Sequence, residues 1–329
     1  MKALVTGATG FIGGNLAREL LAQGHHVRAL VRPGSHRKAI EGLDIEVVEG
    51  DLSDTVRLQR SLDGRDALFH VAAAYAFWTP RPDEVYLTNV TGTENVLRAA
   101  MAAGTPKVVY TSTEGTIGMA DGGLGCEDKT VAVADLHGHY KRSKLLAEQV
   151  ALGCYREGLP LVVVNPTMPI GPYDVKPTPT GQMVVDFLNH RMPAYVNTGM
   201  NVVDVQDVAR GHILAYEKGK CGERYLLGNR NLSYQQILGL LAEVTGMKAP
   251  RFRLPLWCAL GAACADELVR GRVFGRTPRI PIAAVRAAGK RRFHDCSKAV
   301  RELGLPQSPI EGALERACAW FRQNGYVRA

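Results

Sequence analysis

The segment Gly7-Ala8-Thr9-Gly10-Phe11-Ile12-Gly13 lies one short apolar run from the start of the chain, and it limits the possible folds more than any other feature. An apolar run that stops at glycine and restarts with helical periodicity over residues 11–23 reads as strand, tight turn and helix. In such a turn, backbone without side chains can approach a pyrophosphate closely. The helix start adds free N–H groups and a partial positive charge. In a chain with 35 glycines this spacing arises by chance roughly 0.4 times. Its weight therefore comes from its place after the first strand and from the hydroxyls of Thr6 and Thr9 beside it.

The next 150 residues repeat the pattern. Residues 3–6, 26–31, 45–48, 67–70, 107–111 and 161–164 are short and apolar along their length, as strands buried on both faces of a parallel sheet are. Between them, 11–23, 54–62, 83–103 and 140–156 read as helices. The alternation predicts an α/β chain whose first 165 residues form a Rossmann-type, doubly wound parallel sheet that binds a dinucleotide. From Pro166 onward the texture changes, with Pro169, Pro172, Pro177 and Pro179 interrupting an irregular passage. Helices over 204–217 and 233–245 and a strand near 223–227 follow. Residues 166–329 are expected to form mainly a smaller, mostly helical substrate domain, with some segments returning to the sheet.

Bulk properties narrow the class. At 46% hydrophobic and 22% charged, 329 residues suit a globular protein. Seven scattered cysteines without a CxxC read as idle thiols in a reducing cytosol. The N-terminal run is too short for a signal peptide, and the longest apolar run, 254–265, falls short of the ~20 residues of a membrane span. A cytoplasmic enzyme is expected, with a homodimer left open. The net charge of +8 is uneven, since residues 248–292 hold eleven Lys/Arg and two Asp/Glu. Such a patch is a solvated surface, a seat for a substrate phosphate, or a contact with an anionic membrane. Residues 254–260, followed by Arg270, Arg272, Arg276 and Arg279, carry the peripheral-membrane expectation. No nucleic-acid module is present in the sequence, and no such partner is expected.

The second strand ends in Val31-Arg32-Pro-Gly-Ser35 with no carboxylate in reach, where NAD enzymes place an acid for the ribose 2′-hydroxyl. Arg32 suits a 2′-phosphate, so NADP(H) is favoured. The alternative has Arg32 stacked on adenine, with NAD(H) accepted as well. Asp51 and Leu52, after the third strand, are candidates for the adenine side, with helix capping the competing use of Asp51. Tyr140 and Lys144 sit four apart on a predicted helix and so share a face. A phenol near pKa 10 becomes a usable proton carrier when a cation lies beside it. The same spacing recurs at Tyr216 and Lys220, but it runs into Gly219 and Gly222, so Tyr216 reads as structural. Just under thirty residues before Tyr140, Ser112 and Thr113 end a strand, where a hydroxyl can position a carbonyl or alcohol oxygen.

Taken together, these motifs resemble the extended short-chain dehydrogenases of the NAD-dependent epimerase/dehydratase and dihydroflavonol-reductase group, nearly end to end. Gly50-Asp51-Leu52, Phe69-His70-Val-Ala72-Ala73, Asn89-Val-Thr-Gly-Thr93 and Asn165-Pro166-Thr167 complete the likeness. Within the group, residues 138–144, 169–172 with 176–181, and 192–199 are similar to hopanoid-associated sugar epimerases. The resemblance implies Thr113 as the catalytic hydroxyl with Ser112 beside it, and Asn89 ordering the site. It places His70, Ala72 and Ala73 along the cofactor, and Pro166 and Thr167 beside the nicotinamide ribose. It implies hydride transfer at a hydroxyl or carbonyl carbon of a small-molecule or lipid-linked polyol or sugar, hopanoid-linked ones included. A carbonyl reductase, a hydroxysteroid-type dehydrogenase and a non-catalytic dinucleotide binder are the alternatives. Glu114-Gly115 stands where the group's dehydratases carry Asp-Glu, which argues against dehydration. Val203-Asp204-Val-Gln206-Asp207 also departs from the usual pattern, at an expected substrate contact.

Overall fold

The computed structural model describes residues 1–75, 78–120, 123–136, 138–275, 277–278, 281–289 and 291–328. Its first half runs β1 (Lys2–Thr6), α1 (Phe11–Ala22), β2 (His26–Val31), β3 (Glu46–Glu49), α2 (Thr55–Leu62) and β4 (Ala67–His70). Then come α3 (Pro82–Tyr86), α4 (Gly92–Ala102) and β5 (Lys107–Thr111). The strands pair in parallel, and the order β3-β2-β1-β4-β5 reverses direction between β1 and β4. Such a reversal opens a crevice at the strands' C-terminal ends.

Next are β6 (Ile117–Met119), β7 (Gly125–Thr130), α5 (His139–Arg156) and β8 (Leu161–Pro166), which extends the sheet beside β5. β9 (Met168–Ile170), α6 (Pro179–Leu188), β10 (Ala194–Val196), β11 (Gly199–Asp204) and α7 (Val205–Lys218) precede β12 (Arg224–Leu227). β12 returns to the sheet beside β8 and completes seven parallel strands. The chain ends with β13 (Arg230–Ser233), α8 (Tyr234–Thr245), β14 (Phe252–Leu254), α9 (Leu256–Asp266), α10 (Ile282–Ala288), α11 (Ser297–Leu303) and α12 (Ile310–Gln323).

The sheet separates two apolar layers. One joins α1 and α7 to it through Leu16, Leu20, Val208 and Ile213, and the other joins α2, α4 and α5 through Leu58, Leu97 and Ala151. A further core forms where α6, α8 and α12 meet β9 and β11 around Phe187, Ile237 and Phe321. The protein is thus an α/β fold with a seven-stranded Rossmann-like sheet and a smaller C-terminal region.

Two expectations are corrected. β3 is not buried on both faces: it pairs with β2 alone, and its residues are largely exposed, as an edge strand's are. The single helix expected over 83–103 is α3 and α4 joined through a wider π turn, Leu87–Thr91. In the run 254–265, α9 buries Ala259 and Ala263 and leaves Trp257 74% exposed. Arg276 and Arg279, and the side chain of Arg272, lie outside the described residues.

Candidate active site

Gly7 has φ +75°, and a Cβ there would lie 2.6 Å from the backbone nitrogen of Ala72. A side chain at Gly13 would collide with the Gly7 carbonyl. The turn can close only as glycine, and it brings the loop after β4 against the loop after β1. Gly10 begins α1 with no side chain capping it, so the first N–H groups of the helix face a cavity of about 1790 Å3. Thr9, Gly10, Phe11, Ile12 and Gly13 line that cavity, and so do Arg32, Asp51, Leu52, Ala72 and Ala73. A glycine cradle at an uncapped helix start fits the pyrophosphate of a dinucleotide.

Two residues expected at the cofactor or the centre of chemistry stand back from it. His70 is fully buried, with Nδ1 2.7 Å from Thr6 Oγ1 and Nε2 3.0 Å from Thr93 Oγ1, and it does not line the cavity. Burial, with the Lys144 charge next, pushes its pKa down to about 3, so the ring is a neutral strut between β1, β4 and α4. Asn89 sits in the π turn, accepts from the Ala74 backbone N–H at 2.7 Å, and donates to Ser143 Oγ at 2.9 Å. It ties the loop after β4 to α5 without reaching the cavity.

Tyr140 and Lys144 share one face of α5, as their spacing requires, and both line the cavity. Lys144 Nζ donates to Tyr110 Oη at 3.0 Å and to the Thr111 carbonyl at 2.8 Å. Burial lowers it to about 8, partly offset by Glu148. The Tyr140 ring meets Tyr75 edge-on at 4.5 Å. Burial, with the Glu114 charge added, holds its phenol above the ordinary value. From β5, Ser112 and Thr113 reach the same cavity, where Thr113 Oγ1 accepts from Gly115 N–H at 3.2 Å. Pro166 and Thr167 line it from the end of β8. Tyr216 lies elsewhere, on α7, packed 6.1 Å from Phe69, and Lys220 pairs with Glu302. Asp204 caps α7 and pairs with Arg316, while Asp207 accepts from Ser308. Neither lines the cavity, and the departure at 203–207 lies at the start of α7.

The sequence reading missed a charged group beside Thr113 and Tyr140. Glu114 Oε2 pairs with Arg292 at 3.0 Å and with His294 at 3.2 Å. Burial alone would raise this carboxyl, but the His294 hydrogen bond and the Arg292 charge outweigh burial and hold it well below the carboxylate range. Lys141 is 8% exposed and lines the cavity with no hydrogen bond or ion pair among the described residues. Burial and the Arg292 charge lower it to about 8 against the pull of Glu114. The signal available beforehand was Lys141 itself, on the Tyr140–Lys144 face.

A glycine cradle, a Tyr–Lys face and a strand-end hydroxyl around one crevice define an NAD(P)-dependent oxidoreductase or epimerase of the extended short-chain type. The chain belongs to the NAD dependent epimerase/dehydratase family, whose model matches residues 3–228. It is 47% identical to a Synechocystis protein provisionally named dihydroflavonol 4-reductase, over 98% of this chain and 95% of that one. Sterol demethylase protein B of Methylococcus capsulatus is 36% identical over 99% of this chain and all of its own. The structure of PA4631, a nucleoside-diphosphate-sugar epimerase from Pseudomonas aeruginosa, superposes with a TM-score of 0.81 at 29% identity, covering 100% of this chain and 99% of that one.

Proposed function

We propose that this enzyme is an NADP(H)-preferring oxidoreductase that interconverts a carbonyl and a secondary alcohol on an amphiphilic, lipid-borne substrate. Hopanoid-linked polyols fall within that class. The observation that carries the reading is that Tyr140 and Lys144 line one cavity with the glycine cradle and with the apolar side chains of Met183, Met192, Ala194, Val196, Ala284 and Ala288. Kinship with a protein named for sterol demethylation supports an apolar substrate body. On this reading residues 1–165 hold the dinucleotide, and 166–329 mainly hold the substrate.

When bound, the cofactor gives or takes a hydride at the reacting carbon. Thr113, with Ser112 beside it, holds the substrate oxygen toward Tyr140. In the reducing direction Tyr140 gives its phenolic proton to that oxygen as the carbonyl double bond becomes a C–H and an O–H bond. Because burial and Glu114 keep the proton on Tyr140, the acid form is the resting one, which suits reduction. Lys144 stabilises the phenolate left behind. Lys141 and Arg292 bring positive charge to the substrate's other side.

Arg32 forms no ion pair among the described residues and lines the cavity, which supports a 2′-phosphate partner. Arg32→Asp should therefore weaken NADPH more than NADH, and an unchanged ratio in cofactor titrations would remove Arg32 from that role. The second reading is an epimerase of a sugar-like group, favoured by the likeness to PA4631. Absorbance of the reduced nicotinamide during incubation with lipid alcohols and ketones separates the two. Net, stoichiometric consumption of NADPH supports the reductase, whereas product formed without net change supports the epimerase.

A further inference from the structure

Residues 251–275 present a surface unlike the rest of the protein. Seven of the seventeen large exposed hydrophobic residues among those described fall between 252 and 274. Phe252, Trp257, Leu268, Val273 and Phe274 are each more than half exposed. Asp266 and Glu267 are the only acidic residues in this stretch, and neither is exposed. Among the described residues of 248–292, Lys248, Arg251, Arg253, Arg286 and Arg291 are exposed cations, and no acidic residue is exposed. Exposed apolar side chains scattered singly need no explanation, but a cluster that shares its segment with exposed charge of one sign marks a contact surface.

Its place in the fold is equally specific. β14 pairs in parallel with β10, setting Ala194 against Phe252 and Val196 against Leu254. Ala194, Tyr195 and Val196 line the cavity that holds Tyr140. α9 packs on α10 through Ala259, Ala263 and Val285, while Ala284 and Ala288 of α10 line the same cavity. The exposed apolar face therefore belongs to β14 and α9, which pack directly on the elements β10 and α10 that line the cavity.

We propose that this face seats on the anionic surface of a lipid bilayer, with Trp257 and Phe274 entering the boundary between headgroups and acyl chains. A membrane-borne substrate then passes from the bilayer through the wall of β10, β14, α9 and α10 toward Tyr140. Apolar insertion combined with cationic attraction is the pair of forces that holds peripheral proteins on anionic membranes. A second copy of this chain fits the face poorly, because two such surfaces would bring like charge against like charge. The substrate's route rests on the proposed lipid-borne substrate, whereas the membrane seat does not, and its test does not depend on turnover.

The test is co-sedimentation of the full-length protein with vesicles of phosphatidylcholine and phosphatidylglycerol in equal parts, compared with phosphatidylcholine alone, at low and high salt. Binding is expected to the anionic vesicles and to weaken at high salt. The Trp257→Ser, Phe274→Ser double variant should partition less strongly by on the order of tenfold or more. NADPH binding, followed by nicotinamide fluorescence, should stay unchanged in that variant and so show that it folds. No binding to anionic vesicles at low salt would overturn the proposal, as would equal binding by the double variant. Sedimentation equilibrium covers the remaining occupant: a dimer that dissociates in the double variant would assign the face to a second copy instead.

Discussion

Tyr140 faces the cavity with its proton held in place, and its ring is braced edge-on by Tyr75. Tyr140→Phe keeps the ring and its packing and removes only the hydroxyl. Turnover should fall by a factor on the order of 10²–10⁴ while dinucleotide affinity barely moves. Tyr216→Phe, 76 positions later in a copy of the same spacing, should retain near-normal turnover, since its ring packs on Phe69 away from the cavity. Equal activity in the two variants would remove Tyr140 from the chemistry. His70 shows the opposite relation between motif and role. It ends β4, the strand that borders the cofactor crevice, yet both its ring nitrogens are engaged by threonine hydroxyls in the core, and it acts by fixing the loop that carries Ala72 and Ala73.

At the scale of elements, the turn into α6 holds the clearest energetic conflict. Asp174 Oδ2 accepts from the Thr178 N–H and hydroxyl, each at 2.8 Å, and so anchors the start of the helix. Its Oδ1 is buried without a partner, and burial raises the carboxyl to about 6 despite those two bonds. A carboxyl whose folded value lies above its unfolded value favours the protonated fold, so its contribution to stability worsens as pH rises from about 4 through 6. Asp174→Asn keeps an oxygen for Thr178 and removes the charge. The variant should be more stable than the parent at pH 8 by up to about 3 kcal/mol, and the gap should shrink by roughly half at pH 5. Urea titrations at the two pH values check this, and a pH-independent gap would count against it. The π turn between α3 and α4 is a second element-level device. Its widened backbone lets Asn89 reach both Ala74 and Ser143, tying together two elements that border the cavity.

For the molecule as a whole, two buried histidines oppose Asp174. His70 and His212 are driven down by burial to about 3 and about 4, and both stay neutral in the fold. The unfolded chain binds protons on both from about pH 6.5 downward. Their contribution is therefore complete above that value and is lost as pH falls from 6.5 toward 4, at about 1.4 kcal/mol per pH unit for each. Asp174 moves the other way between about 6 and 4, so acid should weaken the Asp174→Asn variant more steeply than the parent. Unfolding midpoints measured from pH 7 to 4.5 should fall in both proteins, with the greater slope in the variant. Parallel slopes would show that these buried groups do not govern the response to acid.

The strand–helix alternation, the glycine turn and the shared face of Tyr140 and Lys144 were all legible in the chain, because each depends on residues within a turn or two of one another. Hydrophobic period, missing Cβ atoms and an i,i+4 spacing act locally and survive wherever the segment is placed. The partners of Glu114 were not legible, since Arg292 and His294 lie 178 and 180 positions away and arrive only when the C-terminal region folds back over β5. The same holds for His70, whose hydroxyl partners come from β1 and α4. Composition marked 248–292 as basic and 254–265 as apolar, but whether those apolar residues are covered depends on how many neighbours the fold supplies. Only Ala259 and Ala263 of α9 are buried, against α10, and Trp257 and its exposed companions face outward because no element among the described residues covers them.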